Sequence, residues 1–172
     1  MLTLESEHLS NANQQSNNLN IRILLDDVRS MQNVGSVFRT ADAFGIDKIY
    51  LCGYTPTPPH RDIHKTALGA TETVNWEHYS SIIEAITKCK MDGYEIVSIE
   101  QVEKSTSLAA FKLNNAKVAI IMGNEVNGVS EDALLESDRC IEIPQFGAKH
   151  SLNISVATGV VIWELKRNIL TQ

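Results

Sequence analysis

The segment Gly123–Ser130 reads G-x-x-x-x-G-V-S, after an apolar run and before a short helical pattern. That is the outline of a loop whose backbone amides cradle phosphates. Val129 stands where such loops carry the lysine that reaches the terminal phosphates, so nucleoside triphosphate hydrolysis is disfavoured. No G-x-G-x-x-G follows a predicted strand, which disfavours a dinucleotide site as well. Cys52, Cys89 and Cys140 are odd in number, far apart and without metal-ligand spacing. They read as reduced, buried thiols rather than as a disulfide framework or a zinc site. Arg39 taken alone reads as a solvated arginine, because it lies off the Val34–Val37–Phe38–Ala41 stripe of its predicted helix. The densest cationic stretch is His60, Arg61, His64 and Lys65, in a Pro-rich segment. Its histidines would add charge only when protonated.

The elements that must position these residues alternate. Apolar runs predict strands over Ile21–Leu25, Lys48–Cys52, Glu95–Ile99, Val118–Met122 and Cys140–Ile143. Helical spacing predicts a helix capped by Asn33 and ended by Gly45, then Ser80–Lys90, Ser130–Glu136 and Ile154–Leu165. The last is apolar on most sides, as in a helix buried in the core or at a subunit interface. Residues Gly53–Lys65, with three of the four prolines, predict a loop. This alternation implies a single-domain α/β fold, a parallel sheet with helices on both faces, and ligands outside the carboxyl ends of the strands. Residues 1–20 form a polar extension that is expected to be loosely ordered, and 21–172 form the domain. The chain has 172 residues, 43% of them hydrophobic, which suits one real core. No apolar stretch is long enough to span a membrane and no signal-peptide pattern opens the chain, so a cytoplasmic protein without a membrane partner is expected. The net charge of −6, from 15 basic and 21 acidic residues, counts against phosphate-driven binding unless a local basic face exists.

Read together, three segments resemble the signature of the SpoU family of RNA 2'-O-methyltransferases, within the SPOUT superfamily. They are NVGSVFRTADAFG at 33–45, IIMGNEVNGV at 120–129 and IPQFGAKHSLNISVA at 143–157. Each piece is weak alone; three in order are specific. The similarity covers roughly residues 21–168, and one departure is Gln145, where the family commonly has methionine.

The resemblance implies a deep trefoil knot at the C-terminal end, a homodimer, and S-adenosylmethionine as methyl donor without a metal. Carried onto this chain, cofactor contacts would come from Gly123, Asn124, Ile143, Pro144 and Leu152, with Ile99 and Glu100 as a further edge. The reacting region would hold Asn33, Arg39, Glu125, Ser151 and Asn153. Arg39 is read either as a general base or as a clamp on phosphate and on the ribose 2'-oxygen. A guanidinium pKa of about 12.5–13.8 makes the clamp physically easier. Glu125 would orient Arg39 through a charge-assisted pair across the dimer interface. Asn33, Ser151 and Asn153 double as candidate helix caps. RNA contacts fall to Arg61, His64, Lys65, Lys149 and His150. Transfer RNA suits a compact enzyme that recognises folded shape, with ribosomal RNA open. Two other readings stand beside this one: a non-catalytic RNA-binding or assembly factor of the same fold, and a methyltransferase acting on a substrate other than RNA.

Overall fold

The computed structural model of the protein describes residues 19–148 and 151–170. In chain order the elements are β1 (Asn20–Asp26), α1 (Met31–Ala43), β2 (Lys48–Cys52), α2 (Arg61–Ala67), α3 (Ala70–Thr73), β3 (Trp76–Tyr79), α4 (Ile82–Met91), β4 (Glu95–Ile99), β5 (Thr106–Ser107), β6 (Lys117–Met122), α5 (Glu131–Leu135), β7 (Arg139–Glu142) and α6 (Ile154–Leu170). The strands form one sheet in the order β3-β2-β1-β6-β4-β7-β5. Every pairing is parallel. All carboxyl ends therefore lie along one rim, and the loops that begin at Asp27, Gly53, Glu100, Gly123 and Ile143 leave from it.

Period-2 alternation sends successive strand residues to opposite faces. Ile21, Ile23 and Leu25 of β1 join Val34, Val37, Phe38 and Ala41 of α1 and Val161, Ile162 and Leu165 of α6 in one apolar layer. Leu24, Tyr50, Ile96 and Ile121 meet Ile82, Ala85, Ile86 and Cys89 of α4 and Ala133 of α5 in the other. Covering both faces is what a parallel sheet requires. Each large side chain fully buried there contributes about 1.5–3 kcal/mol. The rigid double layer is what fixes the loops of the rim.

The structure corrects several expectations. The cap of α1 is Ser30, whose side chain accepts the Asn33 N–H at 3.2 Å; Asn33 is the third residue of the helix, and its side chain is free for other partners. The Pro-rich segment is not loop throughout: α2 starts at Arg61, with His60 as its cap, because Asp62 and the apolar pair Ile63 and Ala67 give it a first turn and a buried side. Ile143 lies just past β7 rather than inside it. Elements β3, α3 and β5 appear where no element was expected. α6 continues beyond Leu165 to Leu170. β1 opens at Asn20, behind a buried Leu19, while residues 1–18 lie outside the described residues. Cys52 and Cys89 are buried free thiols; Cys140 is free and half-buried. Among the described residues no helix is long and apolar enough to cross a membrane.

The cap assignment is testable. Ser30→Ala is expected to cost about 1 kcal/mol of stability in equilibrium urea unfolding, the typical loss for a helix N-cap. A cost within error of zero would contradict the assignment.

Candidate functional site

Gly123 follows β6 directly, and the chain turns back on itself at once. A side chain at Gly123 would collide with the backbone of Gly128 and Val129, so the glycine is required by the loop's own return. Asn124, 7% exposed, holds the loop shut. Its backbone pairs in both directions with Gly128 at 2.9 Å. Its side-chain oxygen accepts the N–H groups of Val126 at 2.9 Å and Asn127 at 3.0 Å. Its amide nitrogen donates to the Asp27 carbonyl at 2.6 Å. A buried amide satisfied on every side in this way sets one loop conformation.

Glu125, next along the loop, reaches across to the start of α1. Its carboxylate accepts the backbone N–H of Arg29 and of Ser30, both at 3.0 Å, and the Asn33 side-chain amide at 2.9 Å. Partial burial works to raise the Glu125 pKa, but the donors from Arg29, Asn33 and Ser30 outweigh it and hold the carboxyl below its ordinary range. The side-chain oxygen of Asn33 accepts from the Asn153 amide at 3.0 Å. Asn153 in turn accepts the Ser155 N–H at 2.9 Å, which caps α6. The three sequence segments are thus joined by one chain of hydrogen bonds, Asn153 to Asn33 to Glu125.

Beside this chain lies a cavity of about 420 Å³. Ile99, Glu100, Gly123, Asn124, Ile143 and Leu152 all line it, as do Glu125, Ser151 and Asn153. Pro144 follows Ile143 without entering the lining. Gln145, the departure from the family pattern, faces this space too. The Glu100 carboxylate accepts the Val129 N–H and the Gln101 N–H, each at 3.0 Å, and braces the returning loop. Ser151 makes no hydrogen bond among the described residues, so only Asn153 serves as the α6 cap.

Arg39 is exposed on α1 and forms no ion pair with Glu125 within the chain, whose oxygens are taken by the α1 start. Arg61, His64 and Lys65 are exposed on α2. That helix rests on α1, with Thr66 donating to the Gln32 carbonyl at 3.0 Å. Lys65 is paired with Asp62 at 3.0 Å. His60 caps α2, its Nδ1 accepting the Asp62 N–H at 3.2 Å. Lys149 and His150 lie outside the described residues. Among the described residues no His, Cys, Asp and Glu group is arranged to hold a metal ion.

Two participants escaped the sequence reading. Glu142, in the cavity lining, accepts from Ser105 at 2.8 Å. Asp27 carries a positive φ of 52° and anchors two loops at once. Paired acidic residues at the end of a predicted strand were the only signal for Asp27.

A family profile described as the SpoU rRNA methylase family matches residues 20–163. A tRNA (guanosine(18)-2'-O)-methyltransferase of Borreliella burgdorferi is 31% identical over 145 residues, 84% of this chain and 65% of that protein. A 23S rRNA (guanosine-2'-O-)-methyltransferase of Neisseria meningitidis is 28% identical over 84% of this chain and 57% of its own length. An S-adenosylmethionine-bound rRNA methyltransferase from Sinorhizobium meliloti superposes with a TM-score of 0.81 at 28% identity, over 87% of this chain and 56% of that one. The chain spans somewhat less than two-thirds of the length of these relatives.

The Glu125 contact makes a pH-dependent prediction. Its folded-state pKa lies below its unfolded one, so its contribution is fully present above the ordinary carboxylate value of about 4.3 and is lost as pH falls through the depressed value. Glu125→Gln should therefore lower the thermal midpoint at about pH 7 and approach the wild-type midpoint below about pH 4. A difference that stays constant across that series of buffers would contradict the contact.

Proposed function

The chain belongs to the SpoU rRNA methylase family, and from that premise we propose that it transfers a methyl group from S-adenosylmethionine to a ribose 2'-hydroxyl of RNA. The observation that carries the proposal is that the second and third signature segments line one cavity on the carboxyl rim, with six of the seven expected cofactor residues in its lining, and that the first is tied to both through Asn33. The relatives named above act on transfer RNA and on ribosomal RNA. Transfer RNA is the substrate we assign, by analogy with the tRNA (guanosine(18)-2'-O)-methyltransferase that is 31% identical to this chain.

The residues present suit the cofactor. The cavity offers apolar walls at Ile99, Ile143 and Leu152 for a flat purine, and the carboxylates of Glu100 and Glu142 for a ligand that carries positive charge. S-adenosylmethionine, when bound, supplies a methyl group made electrophilic by its sulfonium. The chain's own work is to hold the reacting nucleotide. Arg39 clamps a backbone phosphate and steadies the negative charge that develops on the 2'-oxygen as its proton passes to solvent, a role for which a fixed guanidinium is well suited. Good orientation is worth about 7–11 kcal/mol of the barrier in such transfers.

The same reading includes the homodimer and the knot. Val156, Val160 and Trp163 form an exposed apolar stripe on the outer face of α6, spaced as one side of a helix. That stripe supports a second copy packed on α6, an arrangement able to bring the partner's Arg39 to the site. For the trefoil knot, the support is that β7 lies between β4 and β5, two strands that precede it in the chain.

Two measurements test the proposal. Calorimetry should give saturable S-adenosylmethionine binding, and purified protein should methylate bulk RNA at a ribose that nucleoside analysis identifies. No cofactor binding would instead favour an assembly factor. Arg39→Lys should lower single-turnover methylation by about 10²-fold with cofactor affinity unchanged. Near-normal turnover by that variant would remove the clamp.

A further inference from the structure

On the RNA reading above, we propose that Tyr54 and Arg29 form a landing strip for an unpaired stretch of the substrate. A nucleobase stacks on the Tyr54 ring, and the adjoining phosphate sits on the Arg29 guanidinium. Neither residue belongs to the signature segments.

The placement follows from the parallel sheet. Tyr54 leaves β2, Arg29 leaves β1 and the cavity loop leaves β6, and these three strands are neighbours in that order. At about 4.8 Å between strands, Tyr54 stands roughly 10 Å along the rim from the cavity loop. The Tyr54 side is open, with the residue 88% exposed. Arg29 is exposed as well, and its guanidinium has no partner among the described residues.

The backbones under these two side chains, by contrast, are fixed. Gly53 has φ of 60°, and any side chain there would strike the Asp27 carboxylate. The Tyr54 N–H donates to Asp27 Oδ1 at 2.7 Å. Asp27 holds a left-handed conformation that non-glycine residues seldom adopt. Its carbonyl is gripped by Asn124 of the cavity loop, and the Arg29 N–H by Glu125. An aromatic ring and a cation are therefore held in register with the cavity while their own surfaces are left free. The carboxylates that hold these two backbones, Asp27 and Glu125, are engaged by N–H donors.

RNA is the occupant that this chemistry fits. One ring beside one arginine is a stacking and phosphate site rather than the contiguous apolar patch that a second copy needs, and α6 carries such a patch. Stacking also gives an acidic chain, at −6, an affinity that does not rest on net charge.

The test uses the full chain with two probes, bulk tRNA and a single-stranded oligoribonucleotide, in fluorescence anisotropy over a salt series. Tyr54→Ala should weaken binding of both by about ten-fold, while Tyr54→Phe, which keeps the ring, binds as wild type. Arg29→Gln should lower the slope of log affinity against log salt by about one. S-adenosylmethionine affinity should be unchanged in all three variants. Wild-type RNA binding by Tyr54→Ala would overturn the proposal. So would a wild-type dimer that dissociates in that variant on sedimentation, which would make Tyr54 a subunit contact. Failure of the wild-type protein to bind cofactor and RNA would fell the functional reading itself; active wild type with unaltered Tyr54→Ala would fell this inference alone.

Discussion

The Glu125 carboxylate takes three N–H donors from the beginning of α1, and the candidate site depends on that contact. Two of the donors are backbone groups, so the contact fixes chain positions and not merely side chains. A lone surface ion pair would contribute little. Converging amide donors on one charge are stronger and geometrically narrower. Through Asn33 the same contact passes to Asn153 and so to the first turn of α6. Three loops from distant parts of the chain are brought into one register by groups that make no other demand on the core.

The sheet and the rim divide the work. Two apolar layers, one under α1 and α6 and the other under α4 and α5, make the frame stiff. The rim then carries the expensive features: the buried amide of Asn124, the left-handed Asp27, and the close return of the chain at Gly123. Such features persist only where the surrounding structure over-determines them. Here Gly123 and Asn124 line the cavity, and the Asn124 side chain ties their loop to Asp27 on the neighbouring one.

Much of the frame was legible in the sequence. β1, β2, β4 and β6 are rich in apolar residues, and α1 and α4 have clean helical spacing between good stop signals. What escaped is short or half-exposed. β3 reads WEHY, with no buried residue and an edge position, and β5 has two residues. The cap of α1 was misplaced because Ser30 and Asn33 are both good capping types three residues apart; only the folded chain shows which side chain accepts and which is free for Glu125. The cavity lining was legible because its signature segments are specific as a set. Asp27 and Tyr54 were not, since their roles depend on a backbone conformation and on contacts across the sheet that no local pattern encodes.

Asn33 and Glu125 act as one unit in joining the segments. A double-mutant cycle of Asn33→Ala and Glu125→Ala, read by equilibrium urea unfolding at about neutral pH, tests it most directly. The two losses should fail to add, with a coupling of about 1 kcal/mol, a charge-assisted hydrogen bond discounted for its exposure. Strict additivity of the two losses would contradict the account.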